Sequence, residues 1–165
     1  FGVYLIAANL GQPRPGTANR EDSFMITAYL NFSGKAREAA SYYTEVFGAP
    51  APYIMAMTDM PKGSPEDEFP AGSENLVAYA NVKTFAGDIM LSDDMPGGPA
   101  LTPNSSFWIC LDYPEEAKVR EVFEKLAKDG RVIMALEPTF FNPLYGQLVD
   151  KYGYHWMMML SETEA

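Results

Sequence analysis

Tyr53-Ile54-Met55-Ala56-Met57 returns 79 residues later as Val132-Ile133-Met134-Ala135-Leu136. At that same offset Leu30 falls on Ile109, Tyr29 on Trp108 and Phe47 on Leu126. Further along, Ile89-Met90-Leu91-Ser92-Asp93 is echoed by Met158-Met159-Leu160-Ser161-Glu162, now at an offset of 69. The difference of 10 calls for a longer loop in the first copy, and 59–74, rich in Pro, Gly and acid with no apolar period, supplies it. Matches in this order predict a duplicated supersecondary unit.

Each copy reads alike. Residues 26–32 alternate like a half-buried strand, and Ser33-Gly34 offers a turn and helix start. From 35 to 47, Ala36, Ala39, Ala40, Tyr43, Val46 and Phe47 recur at helical spacing, and Gly48 and Pro50 end the run. Strands near 53–58, 75–82 and 86–92 complete the copy. In the second, 106–111 is a strand, Pro114 sits early in a helix, Val119, Val122, Phe123 and Leu126 form its buried stripe, and Gly130 closes it. Strands near 131–136, 146–151 and 154–160 follow. The expected fold is α+β: two βαβββ modules, 25–98 and 104–162, whose curved mixed sheets enclose a cleft.

The bulk composition narrows the partners. With 165 residues, 47% apolar and 21% charged, the chain has the makings of one ordinary globular domain. A net charge of −10 with only 12 scattered Lys and Arg argues against nucleic acid, whose phosphates need clustered cations. Cys110 is the sole cysteine, so no intramolecular disulfide forms, which fits a reducing cytoplasm. No apolar run approaches the roughly 20 residues of a membrane span. Residues 1–24, a short apolar start and then a polar Pro/Gly stretch, read as a leader or an extension outside the fold. A remnant of an export signal is the alternative. Met25 reads as the natural start of the folded domain, 25–162.

The run Ile26-Thr27-Ala28-Tyr29-Leu30-Asn31-Phe32-Ser33-Gly34-Lys35-Ala36-Arg37-Glu38-Ala39, with Tyr42-Tyr43 and Val46-Phe47-Gly48, resembles the PhnB-like branch of the vicinal oxygen chelate superfamily. Met90-Leu91-Ser92-Asp93 followed by Pro96-Gly97, and Tyr145-Gly146-Gln147-Leu148-Val149-Asp150-Lys151-Tyr152-Gly153 leading to Trp156, extend the likeness over 25–162. The resemblance implies the glyoxalase/bleomycin resistance protein fold. Some members of the branch are described as demethylubiquinone methyltransferases, but no glycine-rich cofactor loop of that kind occurs here.

In catalytic members of the superfamily, the resemblance implies, His, Gln or Glu from four strands hold a divalent ion that acts as a Lewis acid. The corresponding places here fall near Thr27 or Ala28, near Met90, near Ser105 or Ser106, and within Met157-Met158-Met159. Thioethers are poor ligands for hard divalent ions, so no metal site and no cofactor are expected. A third-strand His common in the branch is replaced by Tyr79.

Other candidates have plainer readings. His155, the only histidine, is a packed residue or, if functional, a general base. Asp93-Asp94 either supplies one carboxylate to a site or opens the turn at Met95-Pro96-Gly97-Gly98. Met and aromatic side chains make adaptable apolar walls. Tyr29, Tyr79, Met90, Trp108, Phe141, Tyr145, His155 and Met157 are therefore expected to line a ligand cleft.

The resulting expectation is a cytoplasmic homodimer that binds a small apolar or aromatic molecule in a metal-free cleft, with no nucleic-acid or membrane partner. The alternatives are a divalent-metal-dependent enzyme of the glyoxalase or dioxygenase kind and a structural dimer without ligand.

Overall fold

The computed structural model describes residues 26–60, 69–97, 101–102 and 105–161. The expected leader, 1–24, lies outside these residues, as does the middle of the acidic loop, 61–68.

Two units of identical topology follow one another. The first comprises β1 (Ala28–Phe32), α1 (Ala36–Phe47), β2 (Tyr53–Ala56), β3 (Val77–Thr84) and β4 (Gly87–Asp93). The second comprises β5 (Ile109–Tyr113), α2 (Glu116–Lys128), β6 (Arg131–Glu137), β7 (Tyr145–Val149) and β8 (His155–Leu160). The sheets run β1-β4-β3-β2 and β5-β8-β7-β6, the first pair of each parallel and the rest antiparallel. This is the α+β fold of two βαβββ units that the sequence leads one to expect.

Equivalent backbone bonds fix how the units superpose. Asp94 N–H donates to Phe32 O at 2.8 Å, and Ser161 N–H donates to Tyr113 O at 3.1 Å. Phe32 thus matches Tyr113, an offset of 81 rather than 79, and Asp94 matches Ser161, 67 rather than 69. Both corrections are two residues, the period of a strand, so every side chain keeps its face.

In each unit the helix covers one face of its sheet. On α1, Ala36, Ala39, Ala40, Tyr43, Val46 and Phe47 are buried against Leu30, Val82 and Leu91 in one apolar cluster. Gly48 ends the helix at φ 59°, a left-handed conformation that glycine adopts without strain. Ala49 N–H then donates to Thr44 O at 2.9 Å. On α2, Val119, Val122, Phe123 and Leu126 face Leu111, Leu148, Trp156 and Met158. Its solvent side carries the i,i+4 pairs Glu116–Arg120 and Glu121–Lys125, which solvent screens to a small contribution.

Some boundaries differ from expectation. β5 begins at Ile109 rather than Ser106, because Ser105-Ser106 form a turn closed by Trp108 Nε1 donating to Ser105 O at 2.9 Å. Pro114 lies just outside α2, whose first residue is Glu116. β3 and β7 are shifted by up to two residues, and β2 and β6 carry register breaks against their partners. Gly130 follows α2 for a different reason than a left-handed cap. A Cβ there would meet Val149 O at 2.4 Å and Leu126 O at 2.6 Å, so backbone crowding demands glycine.

Contacts between the units run through the helix side of the sheets. Phe85 meets Tyr113 edge-on at 4.5 Å, Phe47 lies 5.8 Å from Trp156, and Phe32 is T-shaped to Tyr152 at 5.3 Å. Lys151 pairs with Glu38 at 3.1 Å. Among the described residues no helix covers the opposite face of either sheet.

Candidate functional site

Strand alternation decides what stands on those helix-free faces. On the first sheet Leu30, Val82, Ile89 and Leu91 turn into the core, which sends Tyr29, Tyr79, Asn81, Met90 and Ser92 the other way. Registration sets Tyr29 beside Met90, Met90 beside Asn81, and Asn81 beside Tyr53. Tyr79 packs on Tyr53 with ring centroids 6.2 Å apart. Polar groups on this face pair with each other: Ser92 Oγ donates to Asn31 Oδ1, and Asn81 Nδ2 donates to Asp88 Oδ2, both at 3.0 Å.

On the second sheet Leu111, Leu148, Trp156 and Met158 are buried, so Cys110, Gln147, His155, Met157 and Met159 stand on the open face. Cys110 is registered with Met157, Met157 with Gln147, and Gln147 with Met134. Trp108 lies edge-on to His155 at 4.8 Å. Tyr145 accepts a 2.7 Å bond from Gln147 Nε2 and packs against Phe141 at 5.0 Å. His155 Nδ1 is shielded from solvent and has no hydrogen-bond partner. Phe107, Met134, Phe140 and Phe141 are exposed, Phe140 fully, and on β6 so are Ile133 and Val132, the latter registered with core-facing Leu148.

All eight residues expected to line a cleft therefore belong to helix-free faces. Tyr29, Tyr79 and Met90 form one group; Trp108, Tyr145, His155 and Met157, with Phe141 against Tyr145, form the other. Asn81 belongs with the first group and was not anticipated. Its signal is a carboxamide within β3 among apolar Val77, Ala78, Ala80 and Val82.

Asp93 turns out to have a structural role. Its side chain is buried on the core side, where Oδ1 accepts Ala36 N–H and Oδ2 accepts Val77 N–H, both at 2.9 Å. The carboxylate caps α1 and ties it to β3, doing the work that Lys35 at the cap position does not. It neither faces a site nor simply opens a turn.

The chemistry of these faces is that of an apolar wall. Among the described residues no group of three or more His, Cys, Asp or Glu side chains is placed to hold a metal. The places where relatives would supply donors carry Met90, Met157 and Met159, soft thioethers that do not fit a hard divalent ion. The Cys110 thiol is pushed up by burial, and further by Asp112, which keeps it protonated and a poor nucleophile at neutral pH. The β1–α1 turn does not fit the methyl donor that a methyltransferase needs: it has one glycine, and the α1 N-terminus is filled by the Asp93 carboxylate. Among the described residues no helix is long and apolar enough to cross a membrane.

Two four-stranded mixed sheets, each with one helix, define the glyoxalase/bleomycin resistance protein fold. Solved structures carrying that description match with TM-scores of 0.58 and 0.54 at 15% and 10% identity, a likeness of fold alone. The chain belongs to the PhnB-like family whose model is described as 3-demethylubiquinone-9 3-methyltransferase, matched over residues 24–159. It is 33% identical to protein YjdN of Escherichia coli K12 over 138 residues, covering 81% of this chain and 92% of YjdN. The crystal structure of PA1353 from Pseudomonas aeruginosa matches with a TM-score of 0.69 at 29% identity, covering 86% of this chain and all of that one. The PhnB protein of Bacillus cereus, described as a 3-demethylubiquinone-9 3-methyltransferase, matches with a TM-score of 0.62 at 28% identity, covering 84% and 100%.

Proposed function

We propose that this PhnB-like protein is a cytoplasmic homodimer that binds a small apolar or aromatic molecule on the helix-free faces of its sheets, without a hard divalent ion. One observation supports the reading above the rest. Both sheets put aromatic and thioether side chains on the face their helix leaves uncovered, most of them half-buried rather than packed into the core. Met and aromatic walls accept ligands of varied shape, and few polar groups among them set orientation.

The same geometry supports the dimer. Within one chain the units meet on their helix sides, so the open faces are not sealed against each other. Val132 and Met134 on the edge strand β6 are 45% and 39% exposed. A second copy covering this region would turn open faces into the walls of a cleft. The free Cys110 is in keeping with a reducing compartment.

Sedimentation velocity tests the assembly. Dimers are expected for the natural chain, and monomers of unchanged circular dichroism for the double variant Val132→Asp, Met134→Asp. A natural chain that sediments as a monomer at micromolar concentration contradicts the dimer. A thermal-shift screen with small aromatic compounds tests the ligand, since binding only to the folded state raises the melting temperature.

A further inference from the structure

On the first sheet's open face, Tyr29, Met90, Asn81 and Tyr53 form one row across four strands. Asn81 is the only amide in that row. Its Nδ2 donates to Asp88 Oδ2 at 3.0 Å, and an ionised carboxylate only accepts, so this bond fixes which way the amide points. The other end, Oδ1, is shielded from solvent and has no hydrogen-bond partner. A buried carbonyl oxygen without a donor is costly, and native structures rarely leave one without a purpose. The Met90 thioether and the Tyr53 phenol stand on either side of it in the row, and neither donates to it.

We propose that Asn81 is a specificity residue that selects flat apolar or aromatic molecules bearing one hydrogen-bond donor, a hydroxyl or an N–H. The inference rests on the reading of this face as part of a small-molecule cleft and names the class of molecule that cleft takes. The ring of the ligand lies against Met90 and Tyr53, the neighbours of Asn81 in the row, and because Oδ1 is closed to solvent a bordering side chain turns aside to let the ligand's donor reach it. Asp88 acts through Asn81 as a positioning residue. A molecule of the same shape with an ether in place of the hydroxyl keeps the apolar contact but leaves the oxygen unpaired.

Three probes test this by isothermal titration: naphthol, its methyl ether and naphthalene. The natural chain is expected to bind naphthol about 5- to 10-fold more tightly than the ether, the equilibrium worth of one net hydrogen bond. Asn81→Leu is expected to abolish that preference, so that naphthol and its ether bind alike. Asp88→Ala, which frees the amide to rotate, is expected to reduce the preference and serves if the leucine variant does not fold. Equal affinity of the natural chain for naphthol and its ether overturns the proposal and leaves the apolar cleft standing. A preference that survives both substitutions overturns the role of Asn81. If none of the three probes binds, the cleft reading falls and this inference with it.

Discussion

Tyr43 and Asp150 stand 107 residues apart and are joined by a buried 2.7 Å hydrogen bond from phenol to carboxylate. The same Oδ2 accepts Trp156 Nε1 at 2.9 Å, while Oδ1 accepts the Tyr152 and Tyr154 N–H groups at 2.9 and 3.0 Å. Asp150 thus fixes the β7–β8 turn of the second unit and holds α1 of the first against it. Asp150→Ala leaves the phenol and indole donors buried and unpaired and is expected to destabilise the chain by roughly 2–4 kcal/mol. Tyr43→Phe leaves the carboxylate three donors and is expected to lose about 1 kcal/mol. Urea unfolding of both variants and their double combination measures the coupling. Additivity would show that the bond does not join the units.

The tyrosines around this carboxylate make stability sensitive to alkali. Burial, and then Asp150, push Tyr42 and Tyr154 up to about 12 from the usual 10.0, and Tyr43 well above 10.0 for the same two reasons. The folded chain keeps these phenols protonated where the unfolded chain ionises them, so unfolding releases protons above pH 10. Their contribution is therefore intact below about pH 10 and is lost progressively as pH rises toward 12. Melting temperature against pH should fall in that window, with tyrosinate absorbance rising together with loss of structure. Ionisation of the full tyrosine set without unfolding would contradict this.

Asp93 predicts a second long-range effect. Asp93→Ala orphans the Ala36 and Val77 N–H groups and should cost roughly 1–3 kcal/mol, whereas Asp93→Asn keeps one acceptor and should cost less. Denaturant midpoints give the ranking. Equal stability of the natural chain and the alanine variant would remove the carboxylate from the account of how α1 begins.

Metal analysis follows from the donor set. Protein dialysed against buffer is expected to carry no stoichiometric Ni, Zn, Mn or Fe, and chelator is expected to leave its melting temperature unmoved. Thioethers at 90, 157 and 159 supply no grip for hard ions. One ion per chain, retained through dialysis, would bring the glyoxalase- or dioxygenase-like enzyme back to the fore.

The duplication was legible because a repeat need only be aligned modulo two to reveal which residues share a face. Tyr29, Trp108 and Met157 are assigned to the open faces even though the offsets read from sequence are two residues out. What the sequence hides is contact at long range. Nothing local to Asp93 says that it caps a helix 57 residues earlier, and nothing local to Asp150 says that it receives Tyr43. Phe107 and Trp108 extend the apolar look of β5 beyond its true start at Ile109, because the turn before it depends on an indole bond to Ser105. Asn81 was passed over among Val and Ala, since a lone amide in a strand gains meaning only beside Asp88 across the hairpin.

If the helix-free faces hold an apolar ligand, titration of naphthol into three chains reveals it. The natural chain is expected to bind saturably, and Tyr79→Ala and Trp108→Ala, one on each face, are each expected to weaken binding by about 1–3 kcal/mol, the worth of a packed ring. Circular dichroism of both variants should match the natural chain, since neither side chain belongs to the buried core. Absence of saturable binding, or binding that both substitutions leave unchanged, would contradict the account.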